Sequence, residues 1–130
     1  MNSETHPDRR WIDAYCLEKP GVTREFKVSW NMHLYRVGDK IFAETGGDKA
    51  GAPILSVKLE PAFSELLRAQ YPGAVVPGYY CNKVHWSSVY YDSAVPDDTV
   101  KAMLDNAYGI VFAALPKKVR EAVLAEKSSD

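Results

Sequence analysis

Thirteen consecutive residues, YCNKVHWSSVYYD from Tyr80 to Asp92, hold a thiol, an amine, an imidazole, two serine hydroxyls, an indole and a carboxylate, besides three phenols. Three chemistries could follow from such a stretch. The first is metal binding through Cys81 and His85. The segment reads as a strand, and a strand rises about 3.3 Å per residue, so these two residues stand roughly 13 Å apart. Zinc ligands lie within about 2.0–2.3 Å of their ion, so the pair cannot share one. The other candidate ligands, His6, His33 and Cys16, are scattered along the chain. No metal and no cofactor is expected.

The second chemistry is nucleophilic catalysis. Ser87, His85 and Asp92 spell a triad, which requires the imidazole to sit between the other two groups at hydrogen-bond distance. On one strand Ser87 and His85 share a face, while Asp92 points the other way. No GxSxG elbow is present. The glycine-rich run Gly46-Gly47-Asp48-Lys49-Ala50-Gly51 lacks P-loop spacing and reads as a hairpin loop. No catalytic residue is expected, and the chain is not read as an enzyme.

The third chemistry is nucleic-acid contact. Alternation puts Tyr80, Asn82, Val84, Trp86, Ser88 and Tyr90 on one face and Cys81, Lys83, His85, Ser87, Val89 and Tyr91 on the other. The Trp86 face is expected to point into the core. Lys83, His85 and Ser87 then lie on a solvated face, where a lysine could meet phosphate and a ring could stack on a base. Lys117, Lys118 and Arg120 form a basic turn that could add phosphate contacts. The plain reading of both groups is solubility: half-exposed antiparallel strands carry such residues routinely, and Glu121 stands beside the turn.

The elements that carry these residues can be read from spacing. Pro7 and Asp8 suit a first helical turn. Ile12, Tyr15, Cys16 and Lys19 follow helical spacing, and Pro20-Gly21 ends the run. Phe26, Val28 and Trp30 alternate with polar residues, as in a half-buried strand closed by a turn at Asn31. HLYRV and KIFAET flank Gly38-Asp39, a hairpin signal in reversed order. ILSVKL is a fourth strand. Glu60-Pro61 opens a second helix, which Tyr71-Pro72-Gly73 closes. AVVPGY, with Pro77-Gly78, is expected to be irregular, and the opening stretch follows as a fifth strand. Val100, Met103, Leu104, Ala107, Tyr108, Val111, Phe112 and Leu115 place one broad apolar face on a long helix. Pro116 breaks that helix and starts a last one. The order α-β-β-β-β-α-β-α-α predicts an α+β fold, an antiparallel sheet covered by helices on one face. Trp30, Trp86, Tyr108 and Phe112 are expected in the core, although aromatics this dense can also line a pocket or an interface.

The totals agree with a single domain over residues 1–130, frayed at 1–6 and 126–130. Apolar residues make up 46% and charged residues 25%, proportions that exclude general disorder. Residues 1–60 carry 9 basic and 9 acidic groups, residues 61–130 carry 7 and 8, and the net charge is -1. Neither nucleic acid nor anionic lipid would be held by an overall field of that size. Two cysteines form no disulfide framework. The N-terminus lacks the apolar run of a signal peptide, and no segment reaches the ~20 apolar residues of a membrane span. A cytoplasmic protein with no membrane partner is expected.

With the elements placed, the chain resembles the MmcQ/YjbR family over roughly residues 9–122. The resemblance rests on KPGVTREF, RVGDKIFA, SVKLEP, PGYYCNKVHWSSVYYD, VPDDTVKAMLDNAYGIVFAALPKK and the final basic turn, in that order. It departs slightly at Gly38-Asp39-Lys40, where Gly-Gly-Lys is usual. The resemblance implies a fold similar to the bacterial frataxin homologue. It also implies DNA as a partner, a label resting on fold analogy, which is no mechanism. A frataxin-type iron role would need a dense acidic ridge. Asp8, Asp13 and Glu18 are instead spaced by fives and interleaved with Arg9, Arg10 and Lys19. The rival expectation is a module that binds a small molecule or a protein through an aromatic-lined surface.

Overall fold

The computed structural model describes residues 9–78 and 85–128, with side chains to residue 125. Residues 1–6 and 129–130, expected to fray, lie outside the described residues, whereas 126–128 continue the last helix. The elements are α1 (Trp11–Leu17), β1 (Val22–Lys27), β2 (Met32–Val37), β3 (Lys40–Gly47), β4 (Pro53–Lys58), α2 (Pro61–Gln70), β5 (Val75–Pro77), β6 (Trp86–Tyr90), α3 (Asp97–Ala113) and α4 (Lys117–Ser128). Among the described residues, six antiparallel-paired strands form one sheet in the order β1-β2-β3-β4-β6-β5. The fold is α+β, as the spacing predicts.

The strand β5 is a correction. Pro77-Gly78 suggests irregular chain, yet residues 75–77 pair with β6 at its outer edge. An edge strand accepts a proline because one row of its N–H groups needs no partner. Gly78 then passes so close to Trp86 that an added Cβ would lie 2.7 Å from the Trp86 Cβ.

The β2–β3 turn explains the reversed Gly-Asp pair. Gly38 has φ 55° and Asp39 φ 67°, and a type I′ turn needs both central residues there. A Cβ at Gly38 would lie 2.8 Å from Leu115 Cδ1, so a side chain there would push Leu115 aside. This contact docks the chain after α3 against the hairpin.

The long helix α3 follows its apolar spacing: Val100, Met103, Leu104, Ala107 and Val111 are buried. Asp97 and Asp98 occupy its first turn, where they complement the helix dipole. The core lies between α1, α3 and one sheet face, around Tyr35, Phe42, Ala43, Leu55, Val57 and Val89. Each fully buried aliphatic side chain there contributes about 1.5–3 kcal/mol relative to exposure. Tyr108 and Phe112 pack partly buried against this core. Tyr108 stands edge-on to Phe42 and stacks on Phe112.

Trp30 is not a core residue. β1 stops at Lys27, and residues 28–31 form the turn to β2, with Asn31 at φ 54°. Trp30 is 57% exposed, Val28 79% and Phe26 46%. The alternation Phe26-Val28-Trp30 is real in the sequence, but β1 is the edge strand, and none of the three joins the buried cluster.

The two faces of β6 are also opposite to the sequence-based expectation. Val89 pairs with Leu55 and Val75, and Ser87 with Val57, all on the helix-covered face. Trp86 is half-buried on the other face, opposite Lys58, and is not part of the core cluster. The reason is the closeness of α2. Ser87 Oγ lies 2.9 Å from Ser64 Oγ and accepts two hydrogen bonds from the Arg68 guanidinium. A helix seated this near a strand has room for serine, not tryptophan. The second face is buried at its centre as well, at Leu34, Ile54, Ser56 and Ser88.

Candidate functional site

The five described nucleic-acid candidates do not converge. Lys83 lies outside the described residues, as does Cys81. Ser87 is 0% exposed and tied to α2, so it cannot touch a ligand at the surface. Arg120 turns its guanidinium back onto the carbonyls of Leu115 and Ala113, where α3 ends. Such a cation satisfies orphan carbonyls and complements the helix dipole. His85 is exposed at the start of β6, with its backbone carbonyl accepting from Leu59 N. Lys117 and Lys118 are exposed at the start of α4. That helix lies near β1 and β2, since Val119 reaches Gly38 and Val123 reaches Gly21. Three strand spacings separate β2 from β6, about 14 Å of sheet.

The structure does assemble two other sites. One is a cleft of about 200 Å³ between α1 and the sheet, lined by Arg10, Asp13, Arg24, His33, Tyr35 and Thr45, among others. The register explains the grouping: His33 pairs with Thr45, and Arg24 with Tyr35, on the face that α1 covers. Asp13 points down from α1 and accepts hydrogen bonds from Arg24 (2.7 Å) and from the Tyr35 hydroxyl (2.8 Å), both on Oδ1. Burial disfavours the Asp13 carboxylate, but those two bonds and the Arg24 charge outweigh it and hold its pKa below the usual value. Tyr35 is pushed up by burial and by its bond to Asp13. Tyr91, on the same wall, is pushed up to about 12, mainly by burial. Both phenols are therefore neutral hydrogen-bonding groups at neutral pH. His33 Nδ1 is buried without a hydrogen-bond partner.

Arg9 closes the end of this cleft, and its role is structural. It is 4% exposed, and its guanidinium donates to the carbonyls of Tyr91 (2.9 Å) and Val95 (2.8 Å) and to Asp97 (2.7 Å), with a longer bond to Ser93 O. It ties the β6–α3 loop to the start of α1. Nothing in residue spacing marks this, since Arg9 and Val95 are 86 positions apart.

The other site is the β1–β2 turn. Phe26, Val28 and Trp30 are exposed within five residues, and Lys27 Nζ lies 5.4 Å from the Trp30 ring centre. Phe26 leans on His33 with ring centres 4.8 Å apart. Behind the turn, a second hollow of about 360 Å³ runs from Trp30 and Asn31 to the Gly46–Gly51 loop. That loop is ordered by Asp48, whose carboxylate accepts from the N–H groups of Ala50 and Ala52 and from the Tyr90 hydroxyl.

The YjbR family model matches residues 17–110. The chain belongs to the YjbR family. It is 34% identical over 107 residues to the uncharacterized protein YjbR of Escherichia coli strain K12, covering 82% of this chain and 89% of that protein. It is 28% identical over 108 residues to the uncharacterized protein YbdF of Escherichia coli O157:H7, covering 83% and 87%. Among solved structures, Deinococcus radiodurans protein DR2400, of the domain family DUF419, superposes with a TM-score of 0.78 at 26% identity over 92% of this chain and 91% of that one. A Pseudomonas syringae protein superposes with a TM-score of 0.69 at 17% identity over 85% and 99%, which speaks for the fold alone. For this YjbR-family chain the matched segment contains the exposed turn, β1 to β6 and most of α3, but not Arg9, Arg10 or Asp13.

Among the described residues, no helix is long and apolar enough to cross a membrane. No group of three His, Cys, Asp or Glu among them is placed to hold a metal ion.

Proposed function

We propose that this YjbR-family protein is a non-catalytic binding module whose recognition surface is the tip of the β1–β2 hairpin. The observation that carries the reading is the exposure of Phe26, Val28 and Trp30 together at one turn. Scattered apolar residues on a surface are ordinary, whereas a contiguous aromatic patch marks a place where a partner covers it. Tryptophan and phenylalanine are enriched at interface centres, and Trp truncations there cost the most. A photo-crosslinking residue at position 28 tests it. Adducts should form at position 28, not at the exposed position 122 of α4, and vanish when Phe26 and Trp30 are both serine. Equal labelling at both positions, or none at position 28, refutes the reading.

Lys27 beside Trp30 favours a second reading, DNA as the partner, with a base stacked on the indole and the ammonium near phosphate. The exposed Lys117 and Lys118 would then add contacts outside the tip. Fluorescence anisotropy with short single- and double-stranded DNA should show binding at about 50 mM salt that falls steeply by about 200 mM. Absence of binding at low salt removes this reading and leaves the first intact.

A further inference from the structure

We propose that the outer edge of β1 pairs with β1 of a second copy of this chain, antiparallel and centred on Phe26. The inference rests on the hairpin-tip reading and names the partner of that surface.

The edge is open. β1 stands at the end of the strand order, and among the described residues its ladder partner is β2 alone. Thr23, Arg24, Glu25 and Phe26 are exposed in succession, so both faces of the strand reach solvent. A strand edge of this kind is a template for another strand. The opposite edge of the sheet is blunter, since β5 has three residues and ends in Pro77.

The backbone groups of β1 point the right way. Val37 and Lys40 close the two-residue turn, so they form a hydrogen-bonded pair. The extra residue of the nearby bulge, Phe42, lies in β3 and leaves the alternation of β2 intact. Antiparallel ladders alternate, so Arg36, Leu34 and Met32 direct their N–H and C=O groups toward β1. Their partners are Thr23, Glu25 and Lys27. Arg24 and Phe26 therefore direct theirs away from β2, to the outside. Val22 agrees, since its N–H turns to Lys19 O. A second copy related by a two-fold axis normal to the sheet exchanges N–H···O bonds with this edge, Phe26 against its own copy.

The order of charges selects the register. A two-fold axis normal to the sheet keeps each residue on its own face, so the pairing is centred on one residue facing itself. Centring on Arg24, Glu25 or Lys27 sets like charges directly opposite, which is destabilising. Centring on Thr23 carries the partner strand onto Gly21, where Val123 of α4 packs. Centring on Phe26 sets Glu25 of each copy opposite Lys27 of the other and brings the two Phe26 rings together. Unlike charges and aromatic pairs directly opposite each other are both favourable. Glu25 is 48% exposed and meets Arg36 through Oε1 at 3.3 Å, which leaves Oε2 for the lysine. In this register the turn with Val28 and Trp30 lies beside Arg24 and Val22 of the second copy, so the exposed apolar tip is covered. Charged residues commonly guard edge strands. Here they exclude three registers and favour a fourth.

Sedimentation equilibrium of the full chain at about 50 mM salt tests the pairing. The expected result is a monomer–dimer equilibrium with a Kd of about 100 μM or tighter. Glu25→Lys alone and Lys27→Glu alone should each weaken it about tenfold, because each places like charges opposite at two positions. An equimolar mixture of those two variants should dimerise as the parent does, since two cations of one copy then face two carboxylates of the other. Phe26→Pro, which removes an outward N–H and no bond to β2, should be monomeric. Lys117→Glu makes the same charge change on α4 and should leave the equilibrium as it is. Circular dichroism confirms that each variant is folded before it is measured. A parent chain that stays monomeric up to about 1 mM overturns the dimer. Crosslinking from position 28 to a different molecule would then still uphold the tip as a recognition surface. Undiminished dimerisation of both charge variants, or a mixture no stronger than either variant alone, overturns the β1 pairing.

Discussion

Replacing Arg9 with methionine should destabilise the protein by about 2–4 kcal/mol, a loss worked out bond by bond. The guanidinium is buried and makes three bonds shorter than 3.0 Å, to the carbonyls of Tyr91 and Val95 and to Asp97. Hydrogen bonds to a charged donor are worth about 1.5–3 kcal/mol each. Asp97 is 45% exposed, so water screens its pairing and its share falls below about 1 kcal/mol. The two carbonyl bonds then supply most of the loss, reduced where water reaches the loop once the arginine is gone. Methionine fills much of the same volume, so a simple cavity is not the cause of the change. Urea unfolding followed by circular dichroism measures it, with the slope unchanged and the midpoint lowered. Arg9→Lys should recover less than half, because a point charge cannot span three acceptors as a planar fork does. Amide exchange should rise at residues 91–97 before it rises in α3. A methionine variant within about 0.5 kcal/mol of the parent would show that Arg9 does not hold this loop.

Three further outcomes follow from the same geometry. Gly38→Ala should cost about 1–3 kcal/mol in a denaturant melt, because φ is positive and the added Cβ would lie 2.8 Å from Leu115 Cδ1; Asp39→Gly at the next turn position should be neutral or stabilising. Asp13 has a folded-state pKa below its unfolded value, so its contribution is present above about pH 4 and is lost as pH falls through the folded value. Asp13→Asn should therefore flatten the acid side of a stability–pH profile, and an unchanged acid limb would contradict the Arg24 and Tyr35 bonds. The Cys16 thiol is buried and pushed up to about 12 by that burial. In a Cys81→Ser background it should react with a thiol reagent at pH 8 only at the rate of unfolding, and fast labelling of the native protein would show that α1 opens locally.

The helices were legible because their signals are local. Pro61 opens α2 and Pro116 separates α3 from α4, and the apolar spacing from Val100 to Val111 marks the buried stripe of α3. The turn at Gly38-Asp39 was legible for the same reason, since two adjacent residues tolerant of positive φ leave few alternatives. The candidate sites were not. Arg9 draws its partners from residues 91–97, and Asp13 meets Tyr35 across 22 positions. The cleft therefore has no signature in spacing, although an arginine pair before a short amphipathic helix could have flagged Arg9 and Arg10.

The sequence by itself determined the antiparallel α+β arrangement, the family and the two faces into which the residues of β6 divide. Only the tertiary structure decided which face is inside. Alternation has no sign: it separates Trp86 from Ser87 but says nothing of what lies above either. The placement of α2 a single hydroxyl contact above Ser87 buried the serine and sent the tryptophan to the other face. The same dependence on neighbours left Trp30 in solvent, because the β1–β2 turn stands outside the core that the helices cover.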